Sequence, residues 1–407
     1  MHRKTMFNIR IDFDKSHDSY LYDKNRNEFF LDLFGLFATL PLGYSHPVFQ
    51  SEAFREEYNR VAGVKVPNGE IISDEGRSFL EMFSGHRDMA GFEHFHFCCT
   101  GALAIEAAIK VAMDQKAREH PVVMSLKGSF HGINGYGGFV TDRFSPVKAR
   151  LDRFPRMGWP QLHSPSVIYR DGDIDEKATA NGLDRFVQEF DKCLQQQGAD
   201  NVVALLVEPV QSTYGDHYFP KSFFSTVRDL CDRNDICLVF DEIQTGFGTT
   251  GRMWYFQHIG IVPDIVVFGK KTQTSGIMAK KKFDQLFKTP VRLEVTWDGQ
   301  LADMIRCKHI LNAYEQHDVL RNVGERSQQI REGLGEIVQL RNFRSVGHLM
   351  AFDFDTPERC DRFWRTMIEK RLLCNKTRDK TIRFRPNLNL SSGEAAQAID
   401  VVKSGFA

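Results

Sequence analysis

The chain has 407 residues, and its 53 Lys and Arg balance 53 Asp and Glu, so no net basic charge points to nucleic acid or an anionic membrane as partner. Hydrophobic residues make up 42%, no apolar run approaches the ~20 residues of a spanning helix, and the charged N-terminus MHRKTMFNIRIDFDKS lacks the apolar stretch of a signal peptide. Eight scattered cysteines without a CxxC argue against a disulfide framework or a metal site and for a reducing cytoplasm.

This length suits one large domain plus a smaller one. Residues 1–45 form an N-terminal segment of strand and turn, with YLYD at 20–23 and FFLDL at 29–33. A large domain over 46–290 follows. From about residue 75 helix and strand alternate. Ile105, Ala108, Ile109, Ala112 and Met113 recur at helical spacing, and Val122–Met124 and Val202–Val207 read as short buried strands. Phe223, Val227, Leu230 and Cys231 make one helical face before the strand that enters Asp241. Strand–helix–strand order predicts a mostly parallel central sheet. A small C-terminal α/β domain over 291–407 opens with one long helical stretch from Ala302 to about Leu340 and ends in a βα segment, 381–406. The 34 Phe are read as filling for the core and a dimer interface.

Two motifs carry most of the chemistry. DEIQTGFG at Asp241–Gly248 follows the apolar run Ile236–Phe240, and DIVVFGKKTQTSG at Asp264–Gly276 contains another, Ile265–Phe268. An acid at the end of one buried strand and a lysine just past the next can face one ligand, because open α/β sheets bind cofactors at their carboxyl edge. A carboxylate against a ring nitrogen and a lysine able to form an imine are what pyridoxal 5′-phosphate (PLP) requires.

Other segments are ambiguous one at a time. Thr100-Gly101-Ala102 opens a helix and can bind phosphate through free N–H groups, or be a plain N-cap. Phe130, in Ser129–Gly132, can stack on a planar cofactor, or be one more core Phe. Glu208 ends a strand in the same sheet as Asp241, or caps a turn. Thr296 can offer a hydroxyl to phosphate, or make an ordinary turn. Arg383 and Arg385 share one face of a strand; arginine suits a carboxylate, although solvent-facing charge is the commoner explanation.

Together, TGALAIEAAIK, SFHG, VEPVQ, DEIQTGFG, DIVVFGKKTQTSG, TWDGQLADMIR and TIRFRP resemble, in this order, the class-III, fold-type I aminotransferases. Within them the likeness runs to the L-lysine 6-aminotransferase group first and the 4-aminobutyrate group next. The resemblance implies an α/β PLP-dependent transferase that passes an amino group from a primary, terminal amine to 2-oxoglutarate or another oxo acid. It implies that Lys270 forms the Schiff base, Asp241 pairs with the pyridine nitrogen, and Gln244 bonds the 3-hydroxyl and borders the substrate. Gly101 and Ala102 bind the phosphate, and Phe130 lies on the ring. Thr296 completes the phosphate site of the other subunit in a homodimer. Arg383 takes the α-carboxylate of the acceptor, and Glu208 neutralises that arginine when the other substrate is bound. An aminomutase, racemase or decarboxylase on the same fold, or a non-catalytic binding protein, are the alternatives. One departure stands out. The family has FHGR where this chain has Phe130-His131-Gly132-Ile133, so the donor lacks the usual distal carboxylate or another group binds it.

Overall fold

The computed structural model describes residues 6–66, 71–143, 157–170, 172–335, 337 and 339–406; the first five residues of the charged N-terminus lie outside them. The chain packs as two units, Met1–Glu57 with Gly248–Gly251 and His309–Ala407, and Tyr58–Phe247 with Arg252–Lys308.

In the second unit a seven-stranded sheet runs in the order His94–Cys98, Ser275–Ala279, Ile265–Phe268, Cys237–Asp241, Val202–Val207, Val122–Leu126, Gln161–Leu162. Ser275–Ala279 pairs antiparallel with both neighbours and every other pairing is parallel, so the other six strands share one direction. The central strands are buried at every position. That explains why they read as unbroken apolar runs: helices cover both faces, and alternation has no use. Helix Gly101–Lys116 buries Ile105, Ala108, Ile109 and Ala112, and helix Lys221–Arg233 buries Phe223, Val227, Leu230 and Cys231. Phe79, Phe83, Phe97 and Phe268 pack as tilted or edge-to-face rings, with centroids 5.1 Å apart for Phe79–Phe97 and 5.3 Å for Phe83–Phe268. Among the described residues no helix is long and apolar enough to cross a membrane, and no group of three His, Cys, Asp or Glu could hold a metal ion.

The first unit joins both ends of the chain. Leu372–Leu373 adds in parallel to strand Glu28–Asp32, the third of an antiparallel set with Ile11–His17 and Tyr20–Asp23. A second, antiparallel sheet has the order Arg341–Val346, Leu349–Asp353, Thr381–Phe384, Asn375–Thr377. Its core includes Ile330, Phe352, Phe363 and Ile399. Packing breaks at 57/58 and 308/309, and the N-terminal residues pack in one unit with the C-terminal ones. The expected helix from Ala302 to about Leu340 is two helices, Leu301–Gln316 and Val319–Gly335. Asp318 between them has φ 47°, a left-handed conformation that ends the first helix.

Candidate active site

The six codirectional strands put their carboxyl ends along one edge of the sheet, and the candidate residues of this unit follow from that edge. Asp241 is the last residue of its strand and 5% exposed. One carboxylate oxygen accepts the Ile243 N–H at 3.1 Å. The other lies 2.9 Å from His131 Nδ1. Sequence reading passed over His131; its only signal was its place beside Phe130. The imidazole is buried, and its Nε2 has no hydrogen-bond partner among the described residues. The His131 N–H donates to Thr141 Oγ1 at 2.8 Å, which fixes the loop.

Lys270 lies one strand away, just past Ile265–Phe268, and opens a single 3₁₀ turn. Its φ is 55°, and its carbonyl accepts Gln273 N–H at 2.9 Å and Gln273 Nε2 at 3.1 Å. A non-glycine residue held there is strained, and such strain gathers at functional sites. Lys270 is half-buried and Lys271 only 2% exposed. Gln244 is half-buried in the turn after Asp241.

Gly101 and Ala102 begin a helix of 16 residues, with Thr100 accepting the Leu103 N–H as N-cap. A Cβ on Gly101 would stand 2.8 Å from Ile243 Cδ1, so the helix start lies against the turn after Asp241. Phe130 is half-buried, and its N–H donates to Glu208 Oε1 at 2.8 Å. Glu208 is buried. Thr296 is exposed on a turn that Asp298 closes by accepting the Val295 N–H at 3.0 Å. Ile133 is 63% exposed. In the other unit Arg383 lies on strand Thr381–Phe384, 5% exposed, and Arg385 is 2% exposed, so neither is solvent-facing.

Glu242, next to Asp241, accepts N–H groups of Tyr255 at 2.6 Å and Phe256 at 2.9 Å and the Thr245 hydroxyl at 3.0 Å. Burial nevertheless pushes its carboxyl up to about 7, the three donors opposing it. A carboxyl raised above its unfolded value stabilises the fold fully below the unfolded pKa and stops doing so as pH rises through the folded one. Wild type should therefore lose stability relative to Glu242→Gln between about pH 4.5 and 7, by of order 3 kcal/mol. Melting temperatures of both proteins at pH 5, 6.5 and 8 test this; a constant difference would show that Glu242 stays charged throughout.

A profile of the class-III aminotransferases matches residues 2–405. L-lysine-epsilon aminotransferase of Mycobacterium tuberculosis is 32% identical over 98% of this chain and 92% of the relative. A 4-aminobutyrate aminotransferase of Schizosaccharomyces pombe is 27% identical over 93% and 85%. The solved lysine aminotransferase from Mycobacterium tuberculosis superposes with a TM-score of 0.94 at 31% identity, covering 100% of this chain and 96% of that one.

The residues present fit PLP. A buried carboxylate backed by an imidazole suits a protonated ring nitrogen, a strained lysine follows the adjacent strand, and a helix N-terminus without a side chain at Gly101 suits a phosphate. The fold is that of the fold-type I transferases, and the chain belongs to the class-III aminotransferases, enzymes that use PLP to move an amino group.

Proposed function

We propose that the chain takes the amino group of a primary amine at the end of a carbon chain, L-lysine or a related amine, and passes it to 2-oxoglutarate or another oxo acid. The buried Asp241–His131 pair, one strand from Lys270, carries this reading, and the relatives named for L-lysine and 4-aminobutyrate, both with terminal amines, support the donor class. When bound, PLP supplies an electron-accepting ring and an aldehyde carbon that takes up nitrogen.

The protein's part is to place charges and protons around that ring. Asp241 keeps a proton on the ring nitrogen. Lys270 Nζ would hold the cofactor and, when free, would accept at Nζ the proton from the donor's amine-bearing carbon. Gln244 bonds the ring hydroxyl and borders the substrate, while Phe130 lies on the ring. Gly101 and Ala102 give N–H groups to the phosphate. The Thr296 hydroxyl serves the neighbouring subunit's phosphate, so the working form is a homodimer. Exposed Val64, Ile72, Leu103, Val291, Val295 and Trp297 in the sheet-bearing unit support a buried partner surface; sedimentation of the active enzyme as a monomer would refute it. Eight free thiols fit a cytoplasmic setting.

Arg383 holds the acceptor's α-carboxylate. A desolvated pair of this kind loses ~2–5 kcal/mol on truncation. Arg383→Ala should therefore raise the KM for 2-oxoglutarate at least ~30-fold. A donor screen with 2-oxoglutarate, reading glutamate, tests the whole reading: L-lysine, 4-aminobutyrate, ornithine and diamines are the donors. No amino acid formed from any of them, with 2-oxoglutarate or with pyruvate or oxaloacetate as acceptor, would exclude it.

A further inference from the structure

Ile133 leaves the loop after Phe130 without a cation of its own, yet the same loop system carries one ten residues later. The segment Thr141–Arg143 is laced to the loop 128–132. Thr141 Oγ1 accepts the His131 N–H at 2.8 Å and donates to the Gly132 carbonyl at 2.7 Å. Asp142 accepts the Gly128 N–H at 3.0 Å, and the N–H groups of Asp142 and Arg143 both reach the Ser129 carbonyl at 2.9 Å. These bonds fix Arg143 relative to Phe130 and His131.

The Arg143 side chain reaches the Phe130 ring. Its guanidinium lies 5.7 Å from the centre of the Phe130 ring, and its Nε donates to the Thr213 carbonyl at 3.3 Å. Glu208, which accepts the Phe130 N–H, is the anion whose field favours the Arg143 charge; burial works against that charge. A half-buried guanidinium costs desolvation, and a planar fork against an aromatic face is suited to a carboxylate. Lysine at the same place would offer a point charge without the fork.

We propose that Arg143 binds the carboxylate at the far end of the amine donor, in the role for which Ile133 has no charge, with Glu208 as its counter-ion while the donor is absent. This rests on the terminal-amine reading above and narrows it: the donor carries a carboxylate remote from the reacting amine.

The test compares L-lysine with 1,5-diaminopentane, the same chain without the carboxylate. Wild type prefers L-lysine in kcat/KM, and Arg143→Ala lowers that preference at least ~30-fold; Arg143→Gln, which keeps more of the packing, does the same should the alanine variant not fold. Hexanoate, which has the carboxylate and no amine, gives a readout independent of turnover. In an Arg383→Ala background, calorimetry with the holoenzyme should show binding that weakens at least ~30-fold when Arg143 is also removed. A wild type with no preference, or a preference and hexanoate affinity that survive in both Arg143 variants, overturns the proposal. Failure to transfer the amino group of any donor to 2-oxoglutarate, pyruvate or oxaloacetate would instead remove the terminal-amine reading on which it rests.

Discussion

Lys270→Ala is expected to abolish transamination, with a loss of at least ~10⁴-fold, since in the proposed function one side chain is both the cofactor's covalent anchor and the base. Lys271→Ala should behave differently. The two lysines are adjacent in a 3₁₀ turn, whose residues point about 120° apart. Lys271 is 2% exposed, among the largest fully buried side chains, whereas Lys270 is half-buried and strained at φ 55°. Truncating Lys271 leaves a cavity and lowers stability, by ~2–5 kcal/mol if it behaves as a large buried side chain, without detaching the cofactor. Borohydride reduction of the holoenzyme followed by peptide mapping separates the two: the cofactor should be fixed to Lys270 in wild type and Lys271→Ala. Label on Lys271 would reverse the assignment.

The placement of Asp241 and Lys270 at the ends of neighbouring strands of one sheet was legible because those strands are fully buried. An unbroken apolar run such as Val202–Val207 or Ile265–Phe268 has definite ends, and the residue past each end is at the sheet's carboxyl edge. What decides the rest is non-local. His131 meets Asp241 across 110 positions, and nothing in either segment announces the other. Arg143 is an unremarked basic residue until its backbone is laced to the loop of Phe130. The N-terminal strands pack with the C-terminal unit through a pairing of Leu31 with Leu372, a contact that no composition shift marks. Alternation placed Arg383 and Arg385 together but could not say what covers them; both are buried. The long helical pattern after Ala302 hid its break because Asp318 interrupts the chain without a Pro or Gly signal.

Asp241→Asn should lower kcat by ~10²–10³-fold, ~3–4 kcal/mol, because in the proposed function the amide keeps the shape but cannot hold a proton on the ring nitrogen. His131 bears on this through Asp241. To donate to the carboxylate, its Nδ1 must carry a proton. We therefore expect His131 to orient the Asp241 carboxylate. His131→Leu removes one charge-assisted hydrogen bond, worth ~1.5–3 kcal/mol, and should reduce kcat by ~10–100-fold. It should also shift the pH profile of kcat, because the ring proton is then held less firmly; a purely structural role would lower stability and leave the profile in place. In the Asp241→Asn background the same change should add little, since the two act as a unit. Multiplying losses in the double variant, together with an unmoved pH profile in His131→Leu, would show that His131 only fills space beside Asp241.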